Sequence, residues 1–128
     1  MSRGAQVKAV TWYRKAADQG YDVAQHSLGY LSEIGSGLPK DDQEAIRWYK
    51  LAAAQGYDPS LRNLGLIYWE GKAVPKDLVQ AKMWLLLAAK YGNKRAAIND
   101  EEISKEMTDE QIAEAERLAE AWRPQVNK

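Results

Sequence analysis

Residues 12–21 read WYRKAADQGY and residues 48–57 read WYKLAAAQGY, seven identities in ten at an offset of 36. A third copy, WLLLAAKYGN, starts at residue 84, another 36 residues on. The offset carries Trp12 to Trp48 and Trp84, the Ala16-Ala17 pair to Ala52-Ala53 and Ala88-Ala89, and Gly20 to Gly56 and Gly92. The intervening half repeats as well: Leu28-Gly29 with Leu64-Gly65, Gly35 with Gly71, Leu38-Pro39-Lys40-Asp41 with Val74-Pro75-Lys76-Asp77, and Ala45 with Ala81. Self-similarity at a period of this size is the mark of stacked supersecondary units.

Each half-unit reads as a helix. Ala45, Trp48, Tyr49 and Ala52 recur at spacings of three and four, as do Ala81, Trp84, Leu85 and Ala88, which is the stripe of an amphipathic helix. These are the B helices. Asp41 with Glu44, and Asp77 with Gln80, form a capping-box pattern at their starts, and Gly56 and Gly92 mark their ends. The A helices start at Asp22 and Asp58, with Pro59 expected at the first helical position, and run to Gly35 and Gly71. Ala24, Leu28 and Ser32, like Leu64 and Tyr68, form their buried row. Gly29 and Gly65 sit inside A helices at a cost of about 0.5–1 kcal/mol against alanine, so a close helix approach must require them. The expectation is that large Trp and Tyr on B face small Ala and Gly on A, and that these aromatics are core, not a ligand box.

The pattern A-x-x-x-L-G-x-x-Y-x-x-G, followed by G-V-x-x-D-x-x-x-A-x-x-W-x-x-x-A-A-x-x-G, resembles the Sel-one-like repeats, relatives of the tetratricopeptide repeats. The second full unit carries it through Leu64, Gly65, Tyr68, Gly71, Val74, Asp77, Ala81, Trp84, Ala88, Ala89 and Gly92, with Ser60 in place of the first alanine. The first unit has Ser32 where tyrosine is usual. The tail from Thr108 to Ala115 looks like the closing helix common in bacterial members. The resemblance implies an all-α fold, an α-α superhelix or solenoid of about seven antiparallel helices, serving as an adaptor or assembly scaffold with no shared catalytic residue. Some secreted members pin each helix pair with a disulfide, and the absence of cysteine here excludes that branch.

The chain of 128 residues reads as a single repeat domain: an orphan B helix within 1–20 (about Ala5 to Gln19), repeats at 21–56 and 57–92, and a degenerate capping repeat at 93–128. In the last, Asp100-Glu101 stands where Leu-Gly is expected. A final helix from Thr108, boxed by Gln111, places Ile112, Ala115, Leu118, Ala119 and Trp122 on one face before Pro124. A terminal unit modified in this way suits the end of a stack. The orphan helix is different, because Val7, Val10 and Trp12 form an apolar strip, and exposed strips mark partner contacts. A homodimer or higher stack through this end is expected, or a chain whose job is self-assembly; the equal alternatives are a helix that shifts inward to cap the stack and a longer array with a further repeat upstream.

Eighteen basic and eighteen acidic residues are interspersed, which excludes a nucleic-acid surface built on bulk charge. No stretch approaches transmembrane length, and Met1-Ser2-Arg3-Gly4-Ala5 leads into mixed polar residues instead of a signal peptide's apolar run, so a cytoplasmic chain is expected. A secreted or periplasmic chain trimmed of its leader would read the same. The leading expectation for function is a protein-interaction module holding another protein or peptide along the A helices, whose outward residues are His26, Tyr30, Arg62, Asn63, Leu66 and Trp69. Tyr30, Arg62 and Trp69 are of the types enriched at hot spots. An enzyme is the alternative from another class. His26, the sole histidine, has no companions at nucleophile or metal spacing, and neither glycine-containing loop ends in the Gly-Lys-Ser/Thr of a phosphate cradle. No catalytic, cofactor or metal residue is therefore expected.

Overall fold

The computed structural model describes residues 3–125; Met1 and Ser2, part of the stretch read above for a leader, and residues 126–128 lie outside the described residues. Seven α-helices and no strands are found among the described residues: α1 Arg3–Asp18, α2 Asp22–Ile34, α3 Asp42–Ala54, α4 Asp58–Glu70, α5 Leu78–Lys90, α6 Lys94–Ser104 and α7 Asp109–Ala121. Thus α2, α4 and α6 are A helices, and α1, α3 and α5 are B helices. Each helix packs chiefly on its chain neighbours, with α7 folded back onto α5.

The short B-to-A turns repeat with the sequence. Gly56 adopts φ +85°, its N–H donates to the Ala53 carbonyl at 2.9 Å, and the Tyr57 N–H donates to that of Ala52 at 3.2 Å. This double closure is the Schellman motif, and it needs a residue tolerant of the left-handed region. Gly20 with Tyr21, and Gly92 with Asn93, repeat it at 36-residue intervals. The residue completing each closure then caps the next helix: Tyr21 opens α2, Tyr57 opens α4 and Asn93 opens α6. Asp22 and Asp58 are therefore first helical residues, not caps, and Pro59 is the second. Their negative charge suits the helix N-terminus.

The A-to-B turns end on side-chain caps. Asp41 accepts from the Gln43 and Glu44 N–H groups at 3.1 Å each, and Asp77 accepts from that of Gln80 at 3.0 Å. The full capping box forms at Thr108 and Gln111, whereas the expected return from Glu44 is redirected to the Arg47 guanidinium and the Trp48 indole.

Burial follows the repeat with one correction. Gly29 and Gly65 are the close-approach points expected, but they meet Tyr49 and Leu85, residues sharing one repeat register, and not the tryptophans. A Cβ on Gly65 would stand 2.7 Å from Leu85 Cγ. The tryptophans instead pack backward along the stack. Trp48 is buried with Val10 and Ala17 of α1 and Ala24 and Leu28 of α2, and Trp84 packs on the larger cluster spanning α3 to α7. Trp12, read above as part of the strip on the unpaired side of the orphan helix, is 74% exposed, because the described residues place nothing behind α1. No helix is long and apolar enough to cross a membrane among the described residues.

Candidate interaction surface

The A helices lie side by side, and side chains from their outward rows hold them there. His26 on α2 meets the Ser60 hydroxyl of α4 through Nδ1 at 2.7 Å, with its ring 5.2 Å from that of Tyr49 and 5.3 Å from that of Tyr57. Arg62 on α4 donates from Nε to Asn99 of α6 at 2.9 Å, and Trp69 donates from Nε1 to Glu106, just beyond α6, at 2.9 Å. Asn63 reaches the Tyr49 hydroxyl, which donates to Glu33 at 2.8 Å. Burial, and then the Glu33 carboxylate, push that phenol far above its usual range. Leu66 is half-buried against the larger core.

Of the six residues read as groove-lining, Tyr30 alone is left half-exposed, at 51%, without a hydrogen-bonding task in an inter-repeat joint. It does not stand by itself. Val23 and Ile34, seven residues before and four after it on α2, are 56% and 50% exposed, and that spacing puts all three on one helix face. Sequence reasoning missed Val23 and Ile34, although their offset from Tyr30 was the available signal. Ile98, in the register of His26 and Arg62 one unit further on, is 62% exposed. A cleft of about 250 Å³ opens between the two A-to-B turns, lined by Glu33, Asp42 and Glu70 with Lys40 and Lys72.

The N-terminal strip divides. Val10 is buried in the joint that holds Trp48, whereas Val7, at 50%, and Trp12 remain on the surface. Val7 lines a cleft of about 620 Å³ between α1 and the first A-to-B turn.

Two polar groupings invite a chemical reading. In the first, His26 and Ser60 have the contact distance of a base and a nucleophile. Ser60 is fully buried between α2 and α4, so no substrate carbonyl reaches Oγ while that joint is closed. Desolvation also lowers the His26 pKa, with Asp58 opposing it. In the second, Lys82 on α5 pairs with Asp100 of α6 at 2.6 Å and with the Ser104 hydroxyl at 2.8 Å. Lys82 is 4% exposed and the Ser104 hydroxyl donates to the Asp100 carbonyl at 2.8 Å, so this grouping is taken up in joining α5 to α6. No cluster of three or more His, Cys, Asp or Glu side chains suited to a metal ion occurs among the described residues.

Side-by-side A helices, backward-packed B helices and the same closure at each B-to-A turn define a helical-repeat solenoid. A family model for the Sel1 repeat matches residues 5–21, 22–57 and 58–93, and the chain belongs to the Sel1 repeat family. Repeats of this family generally mediate protein–protein interaction. The structure is similar to that of a protective antigen present in uropathogenic Escherichia coli strains and described as displaying an SLR fold. The TM-score is 0.91 at 37% identity over 94% of this chain and 26% of that one. It is also similar to a Sel1 repeat protein from Oxalobacter formigenes, with a TM-score of 0.71 at 36% identity over 73% of this chain and 39% of that one. The chain therefore spans well under half the length of either neighbour. None of the curated proteins matches it.

Proposed function

We propose that this chain is a non-catalytic interaction module that seats a peptide or helix of another protein across its A helices, anchored at Tyr30. The observation carrying this reading is the exposed row Val23, Tyr30 and Ile34 on α2. An apolar helical partner fits such a row through side chains of matching spacing, and a tyrosine supplies contact area with a polar tip. Arg62 and Trp69 contribute indirectly, by fixing α6 and its following turn beside α4. Affinity capture with the full chain as bait tests the assignment. A specific partner retained by the natural chain should be lost with Tyr30→Ala or Ile34→Ser while the unfolding midpoint stays in place. Retention of the partner by both variants would remove the anchor role.

One observation supports a second reading, association through α1, and that is the exposure of Trp12 and Val7. A homodimer formed there would raise the mass seen by light scattering with concentration, and Trp12→Ala would reverse the rise.

A further inference from the structure

The joint between successive units recurs residue for residue. In the first, Val10 and Ala17 of α1 with Ala24 and Leu28 of α2 form a socket in which Trp48 is 8% exposed. Adding 36 to each number gives Ile46, Ala53, Ser60 and Leu64, of which Ile46, Ala53 and Leu64 lie in the cluster against which the partly buried Trp84 packs. An aliphatic residue, two small ones and a leucine thus receive a tryptophan from the next B helix, twice. Each B helix carries both halves of the joint, with its socket residues facing the following unit and its tryptophan facing the preceding one. On α1 the socket half is used, and the tryptophan half is the exposed Trp12. Lys15 stands 5.8 Å from the Trp12 ring centroid, but a cation there does not bar burial, since Arg47 lies 4.9 Å over the ring of Trp48.

The same shift applied once more reaches the other end, and the chemistry changes. The socket positions become Lys82, Ala89, Ala96 and Asp100, and the tryptophan position becomes Glu120. The charged pair, joined at 2.6 Å, occupies the places of the aliphatic residue and the leucine, and α7 packs on α5 through Ala115 and Ala119. An indole pressed onto that pair would desolvate two charges while offering the ammonium no acceptor, which is costly.

We propose that the α1 face is the receiving end of the stack, where Trp12 seats a helix pair of this same repeat type that presents an aliphatic, two small residues and a leucine. The C-terminal end of a second copy lacks that socket. The stack is therefore polar, open to extension at α1 and closed at Lys82–Asp100.

An extended protein tests this directly. Residues 42–77 are duplicated ahead of Gln6, replacing the first five residues, so that the added unit presents a second Ile46, Ala53, Ser60 and Leu64 to Trp12. Hydroxyl-radical footprinting read by mass spectrometry follows each tryptophan separately, and Trp48 serves as the folded reference in every sample. Oxidation of Trp12 should fall several-fold toward the level of Trp48, and the thermal midpoint should rise. Ile46→Lys and Leu64→Asp in the added copy alone should return Trp12 to its level in the natural chain. Equal oxidation of Trp12 with and without the extension, an added unit that stays unfolded on α1, or equal protection by the charged socket would each overturn the proposal. So would concentration-dependent oligomers of the natural chain that protect Trp12, since a second copy would then be the occupant.

Discussion

Tyr49 lies against the backbone of Gly29 so closely that a Cβ built on the glycine would stand 2.7 Å from two of its ring carbons. An alanine at 29 improves the helix propensity of α2 by about 0.5–1 kcal/mol. It also forces apart two helices whose contact atoms are a stiff ring and, at 3.2 Å, the Ala45 carbonyl. Overpacking of that kind costs about 1–3 kcal/mol, so the net effect of Gly29→Ala is destabilising. Urea unfolding should show a lowered midpoint, and Tyr49→Leu in the same chain should make the alanine less costly. An unchanged or raised midpoint for Gly29→Ala would show that the helices part without strain.

The tryptophans at one register should behave differently. Trp48→Ala empties the socket formed by α1 and α2 and should cost about 3–5 kcal/mol, in the range for large-to-small core changes. Trp12→Ala alters a side chain that is 74% exposed and should stay within about 0.5 kcal/mol of the natural chain. Similar losses for the two variants in a monomeric sample would contradict the placement of Trp12 on the surface.

For Lys82 and Asp100 the informative comparison is one partner against both. The Lys82 side chain is 5% exposed and that of Asp100 20%, so Asp100→Ala strands a cation in the core at a cost of about 3–5 kcal/mol. Exchanging both for apolar side chains of similar volume, Lys82→Met with Asp100→Leu, should be close to neutral or stabilising. Denaturant titration of the three proteins checks the order. A double variant as unstable as the single one would mean that the pair does more than satisfy its own burial.

His26 makes the α2–α4 joint sensitive to acid. Burial among the Tyr49 and Tyr57 rings lowers its pKa below the ordinary value of about 6.5, and Asp58 only partly opposes this. The unfolded chain therefore binds the proton first as pH falls. Stability from the neutral ring is complete above about pH 6.5 and is lost progressively as pH drops toward the lowered folded value. Unfolding midpoints at pH 7.5 and 5.5 should differ by more in the natural chain than in His26→Gln. An equal pH dependence in the two would remove His26 as its source.

The architecture was legible because a 36-residue period imposes the same local demands each time, so glycine closures, aspartate caps and the helical stripe corroborate one another. Direction within a stripe was harder to read. Trp48 and Tyr49 are adjacent and both buried, yet one faces the preceding unit and the other its own A helix, a choice made by packing across units. The outward residues carried the same difficulty. His26, Arg62 and Trp69 were read correctly as standing off the buried row, but that row does not reveal that the neighbouring unit offers Ser60, Asn99 and Glu106 to them. Val23 and Ile34 went unnoticed because an apolar residue in a helix reads as core unless its angle is compared with a residue known to face out.

The double role of Tyr21, Tyr57 and Asn93, which finish one helix while starting the next, bears on where this chain tolerates added length. A B-to-A turn has no residue to spare, since an insertion there breaks a closure and a helix start together. Between Gly35 and Asp41 the exposed Pro39 and Lys40, and between Gly71 and Asp77 the exposed Lys72, Pro75 and Lys76, separate the end of one helix from the cap of the next. Epitope tags, protease sites or fused domains belong in those segments, where extra residues extend a surface loop and leave the stacking order intact.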